Sequence, residues 1–195
     1  QYFLDLACFY LEAGLLQDAL AVLEEAAQEW DYPMVHYLAG EVCHRLGRTA
    51  EAEAWVERGN QASPDLVFPS RLEEMLVLES VLAAQPHNAK VKYSLGNFYY
   101  AHQRFDEAIR LWEEAAEEGL GTFDVLHRNL GLAYWERRGD LARATASLER
   151  ALTCNPQNQD LYLHLDDLYK AQGLRAQREA LLEKMRALRE PRDDV

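Results

Sequence analysis

Apolar and polar positions recur along the chain with the three-to-four-residue spacing of amphipathic helices. In the last block, Leu181, Leu182, Met185 and Leu188 form one apolar stripe. The six prolines and ten glycines are too few for a loop-rich β protein of 195 residues. The pattern therefore predicts an all-α chain of about 11 helices, at residues 1–12, 16–29, 34–46, 50–61, 70–84, 89–102, 105–117, 123–137, 141–153, 158–171 and 175–189.

The chain also repeats itself. A leucine is followed by a small or short residue and then, three places on, by a tyrosine, and Tyr99, Tyr134 and Tyr169 stand at a spacing of 35. Two antiparallel helices approach closely only where both carry small side chains. We therefore expect Gly96 to meet Ala108, and Ala144 to take the same place one unit later, against Gly131. One such pair cannot bury its apolar stripe, so neighbouring pairs must stack.

This pattern resembles the tetratricopeptide repeat, a helix–turn–helix unit of about 34 residues. The resemblance rests mainly on LGNFYYAHQRFDEAIRLWEEAAE, from Leu95 to Glu117, and LGLAYWERRGDLARATASLERALTCNP, from Leu130 to Pro156. It implies a right-handed superhelical solenoid of antiparallel helix pairs that binds other proteins. The predicted single array spans residues 1–190, with units at 1–32, 33–65, 87–121, 122–157 and 158–190, an extra helix at 66–86, and a frayed tail at 191–195.

Two departures from the repeat stand out. The step from Gly40 to Gly96 is about one extra helix longer than a single unit, and Ser70 with Glu73 predicts a capping box at the start of that helix. The fourth unit has one additional residue before Gly139, compared with the unit before it.

A narrower resemblance involves FPSRLEE, YSLGNFYY, HRNLGLAY and LYLHLDDLYK. These runs are similar to repeat arrays that follow a sugar-mutarotase-like β-domain in large bacterial proteins of undefined role. The resemblance implies an alternative function, an accessory or oligomerisation domain of a carbohydrate-active bacterial enzyme. Because the chain starts at Gln1 inside a helical pattern, we expect it to be a module of a longer protein.

In this repeat class the first helix of each pair lines the concave groove. A surface of rings, amides and a guanidinium there suits an extended peptide or a partner helix. The competing interpretation is that rings at helical spacing are core residues that pack between adjacent pairs. The candidate groove residues are Tyr37, Glu41, His44, Lys90, Tyr93, Asn97, Tyr100, Arg128, Asn129, Leu132 and Trp135, with Asp167 and Lys170 in the last unit.

Some members of the family hold the terminal carboxylate of a peptide with paired basic residues and asparagines. Here Asn97 and Asn129 match the two asparagine positions. Tyr93, Asp160 and His164 stand where the basic residues should be. Without those charges an anionic terminus loses its strongest contacts, so the sequence argues against a full carboxylate clamp.

Charge and the remaining chemistry narrow the function further. The net charge of −13 disfavours nucleic-acid binding, and no apolar run approaches the length of a membrane span. Cys8, Cys43 and Cys154 form no disulfide or metal spacing, which favours reduced thiols in a cytoplasmic protein. The histidines form no zinc motif; His164 near Asp166 is the best metal-like cluster, and solvated side chains are the simpler interpretation.

The sequence thus predicts a non-catalytic protein-interaction scaffold without cofactor or metal. Its expected partner is a protein or peptide rather than a nucleic acid or a membrane. Self-association through the terminal helices is a further hypothesis.

Overall fold

The computed structural model describes residues 2–189 and confirms the all-α prediction, since this range contains no strand. The predicted tail at 191–195 lies outside the described residues. The α-helices in this range are α1 (Tyr2–Glu12), α2 (Leu16–Glu29), α3 (Pro33–Arg45), α4 (Thr49–Gln61), α5 (Leu72–Ala84), α6 (Ala89–Ala101), α7 (Phe105–Ala115), α8 (Asp124–Ala133), α9 (Leu141–Cys154), α10 (Gln159–Gln172) and α11 (Arg175–Arg189).

Two segments depart from the α-helical pattern: π1 (Ala116–Leu120), which is kinked at Gly119 with a non-helical φ of 151°, and the π-helical turn π2 (Tyr134–Arg138). The second lies where the sequence has one additional residue before Gly139. A π-turn closes its hydrogen bond one residue later than an α-turn, so it accommodates an extra residue without breaking the helix. The predicted helix at 123–137 is therefore α8 followed by π2.

The start of α5 differs from the prediction. The N-cap is Arg71 rather than Ser70. The carboxylate of Glu74, not Glu73, accepts hydrogen bonds from the backbone nitrogens of Ser70 at 2.7 Å and Arg71 at 2.9 Å. Glu74 is the third helical residue when Arg71 is the cap, which is the position a capping box requires.

The helices fall into two compact units, Gln1–Ala115 and Ala116–Val195. In the first unit α1 pairs with α2, α3 with α4 and α6 with α7, while α5 packs against α3 and α6. In the second unit α8 pairs with α9 and α10 with α11, and α9 packs against α10. The single array at 1–190 and its unit boundaries stay predictions.

Small residues allow close helix crossings, but not always between the expected partners. A β-carbon on Gly131 would lie 3.2 Å from the carbonyl oxygen of Ala144, the predicted partner, but Leu148 Cγ would be closer, at 2.6 Å. A β-carbon on Gly96 would instead overlap the indole of Trp112, so a tryptophan and not Ala108 is its nearest neighbour. The missing side chain of Gly96 makes room for a large ring rather than for another small residue.

Candidate functional site

The connection between α4 and α5, residues 62–71, lies against α6 and is called the insert segment below. Lys90 Nζ donates a hydrogen bond to the carbonyl of Ala62 at 2.7 Å. Asn97 Nδ2 donates to the carbonyl of Val67 at 2.8 Å, and Val67 is fully buried. These two α6 side chains fix the insert segment at two points.

The insert segment changes the role of the predicted groove residues on α6. Tyr93 is fully buried and Asn97 is 8% exposed. Asn97 Oδ1 also accepts a hydrogen bond from Trp112 Nε1 at 3.1 Å. Tyr93 and Asn97 therefore do not present the free binding surface that the sequence predicted, because the chain itself buries them. Lys90 stays half-buried, with its ammonium bound to the Ala62 carbonyl.

Tyr100, the next predicted residue on α6, is half-buried. Its ring centroid lies 5.0 Å from that of Phe105 and 5.2 Å from that of Trp112. The ring packs within the α6–α7 pair, as the competing interpretation expected, and leaves part of its surface accessible.

A separate cavity of about 330 Å³ opens between α3, α4 and α5, and we call it the α3–α5 cavity. It brings together the three predicted residues of α3: Tyr37, Glu41 and His44. Tyr37 forms part of its wall but is itself fully buried, and its hydroxyl donates to Asn60 Oδ1 at 3.2 Å. Burial raises the pKa of the Tyr37 phenol, so the hydroxyl remains a neutral donor. Tyr37 is therefore a wall residue and not the exposed contact that the sequence predicted.

The cavity has an apolar wall and an acidic mouth. The wall consists of small and β-branched side chains from α4 and α5: Ala52, Val56, Val77, Val81 and Ala84. Glu41 and Glu53 line the cavity with His44, and no lysine or arginine is among the lining residues. Glu41 pairs with Arg45 at 2.7 Å, whereas Glu53 makes no ion pair with any residue from 2 to 189. The site thus offers carboxylate acceptors beside an apolar surface.

In the second unit, Arg128, Asn129 and Leu132 lie half-buried on α8, and Trp135 lies half-buried in π2. Arg128 Nη2 donates to Asn129 Oδ1 at 3.3 Å. Arg128 Nε is buried and has no hydrogen-bond partner in the described part of the chain. An unpaired guanidinium nitrogen of this kind is costly to bury. Asp167 and Lys170 are exposed on α10.

Cys8, Cys43 and Asp166, which the sequence analysis considered for thiol or metal chemistry, are packed or paired within the fold. Cys8 and Cys43 are buried free thiols, and burial raises the pKa of Cys8 to about 12. Asp166, the neighbour of His164, pairs with Arg178 at 2.6 Å. Within residues 2–189, no group of three or more His, Cys, Asp or Glu side chains could hold a metal ion, and none of the helices there is long and apolar enough to cross a bilayer.

Antiparallel helix pairs of this length, stacked within each unit, define a helical-repeat protein. The sequence profile of the tetratricopeptide repeat matches residues 4–66 and 77–124, which is more than half of the chain. The chain therefore belongs to the tetratricopeptide repeat family. Fold and family together support a protein–protein interaction scaffold.

Solved structures with the same fold have low sequence identity to this chain. MamA from Desulfovibrio magneticus RS-1, residues 41 to the end, is 18% identical over 96% of this chain and 91% of that one, with a TM-score of 0.51. A crystal structure of MamA is 15% identical over 93% of each chain, with a TM-score of 0.55. PilF from Pseudomonas aeruginosa is 19% identical over 97% of this chain and 76% of that one, with a TM-score of 0.52. These similarities establish the fold alone, and the predicted sugar-mutarotase-like neighbour stays a prediction.

Proposed function

We propose that this chain is a non-catalytic scaffold and that a segment of a partner protein binds in the α3–α5 cavity. The observation that carries the proposal is the position of Glu41 and His44 at the mouth of an open, apolar-walled cavity of about 330 Å³. A site of this size accepts one long side chain of a bound segment. The same proposal includes that the chain is a cytoplasmic module of a larger bacterial protein.

The chemistry of the cavity selects the kind of side chain. Val77, Val81 and Ala84 offer an apolar strip along α5, and Glu53 offers a carboxylate without an ion partner among the described residues. A side chain with an apolar stem and a hydrogen-bond donor at its end satisfies both features. Lysine and arginine have this form, and the net charge of −13 favours their approach.

In the second unit, Arg128, Asn129, Leu132 and Trp135 remain our candidates for contacts with a partner. Their half-burial leaves part of each side chain accessible to a partner. Arg128→Gln removes the guanidinium charge while keeping a polar but shorter side chain, and it should weaken binding of a partner at this surface.

A displayed library of random peptides about 12 residues long tests the proposal, because no partner has to be known beforehand. Selected peptides are measured by calorimetry against the wild type and against Ala84→Phe, which fills the cavity from an exposed position on α5. Ala21→Phe, at an exposed position on α2 away from the cavity lining, is the matched control. We expect Ala84→Phe to weaken binding about tenfold or more and Ala21→Phe to leave it unchanged. Failure to select any peptide, or peptides indifferent to Ala84→Phe, would contradict binding in the cavity.

A further inference from the structure

A second opening in the first unit is lined by aromatic residues and involves neither the α3–α5 cavity nor any predicted groove residue. It has a volume of about 350 Å³ and lies between α1, the α2–α3 connection and the insert segment. We call it the aromatic cleft and define it by Phe3, Trp30, Tyr32, Leu66 and Phe68.

Large apolar side chains of the cleft are exposed to solvent. Trp30 is 52% exposed, Leu66 78% and Phe68 59%. The ring of Phe3 lies 5.3 Å from that of Trp30 and 6.1 Å from that of Tyr2, which extends the aromatic surface along α1. Single exposed apolar residues are ordinary, but a contiguous set around an open cleft is typical of a docking surface.

The backbone holds Leu66 outward at an energetic cost. Leu66 has a φ of +57°, a left-handed conformation that leucine seldom adopts. The two residues that follow it are fixed, since Asn97 Nδ2 donates to the Val67 carbonyl and Tyr32 Oη accepts a hydrogen bond from the Phe68 nitrogen at 3.3 Å. The insert segment is thus anchored around a strained residue whose side chain contributes little to the interior. Strain that is maintained in this way is a feature of functional loops.

The charges beside the cleft indicate which occupant it accepts. Glu29, Asp31 and Asp65 are exposed and directly adjoin Trp30 or Leu66 in the chain. Asp31 Oδ1 lies 2.9 Å from His36 Nε2, but the Asp31 side chain is still 76% exposed. Lys90, close enough to influence Asp31 electrostatically, is half-buried and bound to the Ala62 carbonyl. A second copy of this chain that bound through the same cleft, in a two-fold dimer, would set these carboxylates against their own equivalents, and like charges across an interface are unfavourable.

We infer that the aromatic cleft binds a partner segment that carries large apolar side chains flanked by lysine or arginine. The apolar side chains cover Trp30, Leu66 and Phe68, and the basic residues face Glu29, Asp31 and Asp65. The inference does not depend on the α3–α5 cavity.

Two synthetic amphipathic helices with the same Leu/Trp face test the inference, one flanked by lysines and the other by glutamates. Binding to the full chain is measured by fluorescence anisotropy in about 0.15 M salt, where exposed long-range charges are largely screened. We expect the lysine peptide to bind about tenfold more tightly or better than the glutamate peptide. Phe68→Ala and Trp30→Ala should each weaken its binding about tenfold, whereas Leu163→Ala, a similarly exposed leucine of the second unit, should not change it.

Leu66→Gly separates binding from folding. Glycine adopts a positive φ without penalty, so the melting temperature should stay the same or rise while binding weakens about threefold or more. The double charge reversal Glu29→Lys with Asp65→Lys leaves the apolar surface intact and should shift the preference towards the glutamate peptide. Ala84→Phe should not affect either peptide, so this inference and the proposed function can fail separately.

Three results would overturn the inference. Equal affinity for the two peptides would show that the acidic residues beside the cleft do not select a basic partner. Binding that survives Phe68→Ala, Trp30→Ala and Leu66→Gly would show attraction to the acidic surface in general. Concentration-dependent dimerisation of the wild type that Phe68→Ala abolishes, measured by analytical ultracentrifugation, would identify a second copy as the occupant.

Discussion

Asn97 and Val67, thirty positions apart in the sequence, are joined by a hydrogen bond of 2.8 Å from the amide nitrogen to the carbonyl oxygen. The amide oxygen of the same side chain accepts the indole N–H of Trp112 at 3.1 Å. Asn97 therefore connects the insert segment, α6 and α7, and it keeps Leu66 and Phe68 on the outer side of that segment.

Asn97→Ala should destabilise the fold, because it leaves the Val67 carbonyl and the Trp112 N–H without this partner in a buried place. We expect a loss of about 1–3 kcal/mol in the free energy of unfolding, measured with urea. Asn129→Ala is the control, since Asn129 is a half-buried asparagine for which the structure shows one hydrogen bond of 3.3 Å. Equal losses in the two variants would contradict the connecting role of Asn97.

The sequence predicted the helices well because each carries its own local signal. Apolar spacing and turn residues suffice to place α9, for instance, within a residue of its observed ends, 141–154. The role of Asn97 and Tyr93 could not be predicted in this way. Periodicity shows which face of α6 bears amide and ring side chains, but not whether another protein or the insert segment covers that face.

The aromatic cleft was missed for a related reason. Trp30, Leu66 and Phe68 lie outside the helices, where no periodicity exists to analyse. One signal was present: large apolar residues next to Asp and Glu in connecting segments are unusual, since such segments are ordinarily polar. The step from Gly40 to Gly96 is longer than one repeat unit, so the sequence indicated an insertion in this region, but not the surface against which it packs.

Gly96→Ala should be costly because its new methyl group would overlap the indole of Trp112. We expect a loss of about 1–3 kcal/mol, measured by thermal or urea unfolding. In a Trp112→Leu background the ring is absent, so the same substitution should cost clearly less. An identical cost in both backgrounds would show that helix propensity or backbone strain, rather than overlap with the ring, explains the effect.

Ala144→Leu and Ala108→Leu test the helix crossings at fully buried alanines. Each should destabilise the fold by about 1–3 kcal/mol, because the crossing has no room for a branched side chain. Ala146→Leu, at an exposed position of the same helix as Ala144, should stay within about 0.5 kcal/mol of the wild type. A near-neutral Ala144→Leu would contradict the packing register of α8 and α9.

His127 predicts a pH dependence of stability. Burial lowers the pKa of its imidazole below the usual value near 6.5, and Nε2 donates a hydrogen bond to the Gly121 carbonyl at 2.9 Å. The unfolded chain therefore takes up this proton at a higher pH than the folded chain does. The stability that the fold gains from keeping His127 neutral is fully present above about pH 6.5, and it decreases as the pH falls from there through the pKa of His127 in the folded chain.

Urea unfolding at about pH 7.5 and about pH 5.5 measures this contribution. His127→Gln, which cannot titrate, should lose less stability between the two conditions than the wild type. His87→Gln, at an exposed position, should keep the wild-type loss. If His127→Gln and the wild type lose the same amount, other groups account for the dependence.

Two tyrosines of the repeat pattern, Tyr99 and Tyr169, each donate a hydrogen bond to a glutamate of an earlier helix. Tyr99 donates its hydroxyl hydrogen to Glu79 at 2.7 Å, and Tyr169 donates to Glu149 at 2.6 Å, each across twenty residues. Burial and the neighbouring carboxylate raise the pKa of both phenols, so each hydroxyl stays protonated near neutral pH. A neutral hydroxyl that donates to a carboxylate makes a stronger hydrogen bond than one that donates to a carbonyl.

Tyr99→Phe and Tyr169→Phe should each lower the free energy of unfolding by about 1 kcal/mol. The loss is small because the carboxylates of Glu79 and Glu149 are exposed to water. Tyr162→Phe is the comparison, since the Tyr162 hydroxyl donates to the neutral carbonyl of Pro156 at 3.1 Å and should lose less. Glu149→Gln should reproduce part of the Tyr169→Phe loss, because an amide oxygen is a weaker acceptor than a carboxylate. If Tyr169→Phe costs no more than Tyr162→Phe, the carboxylate adds nothing, and the recurrence of the pair would reflect repeat spacing without an energetic role.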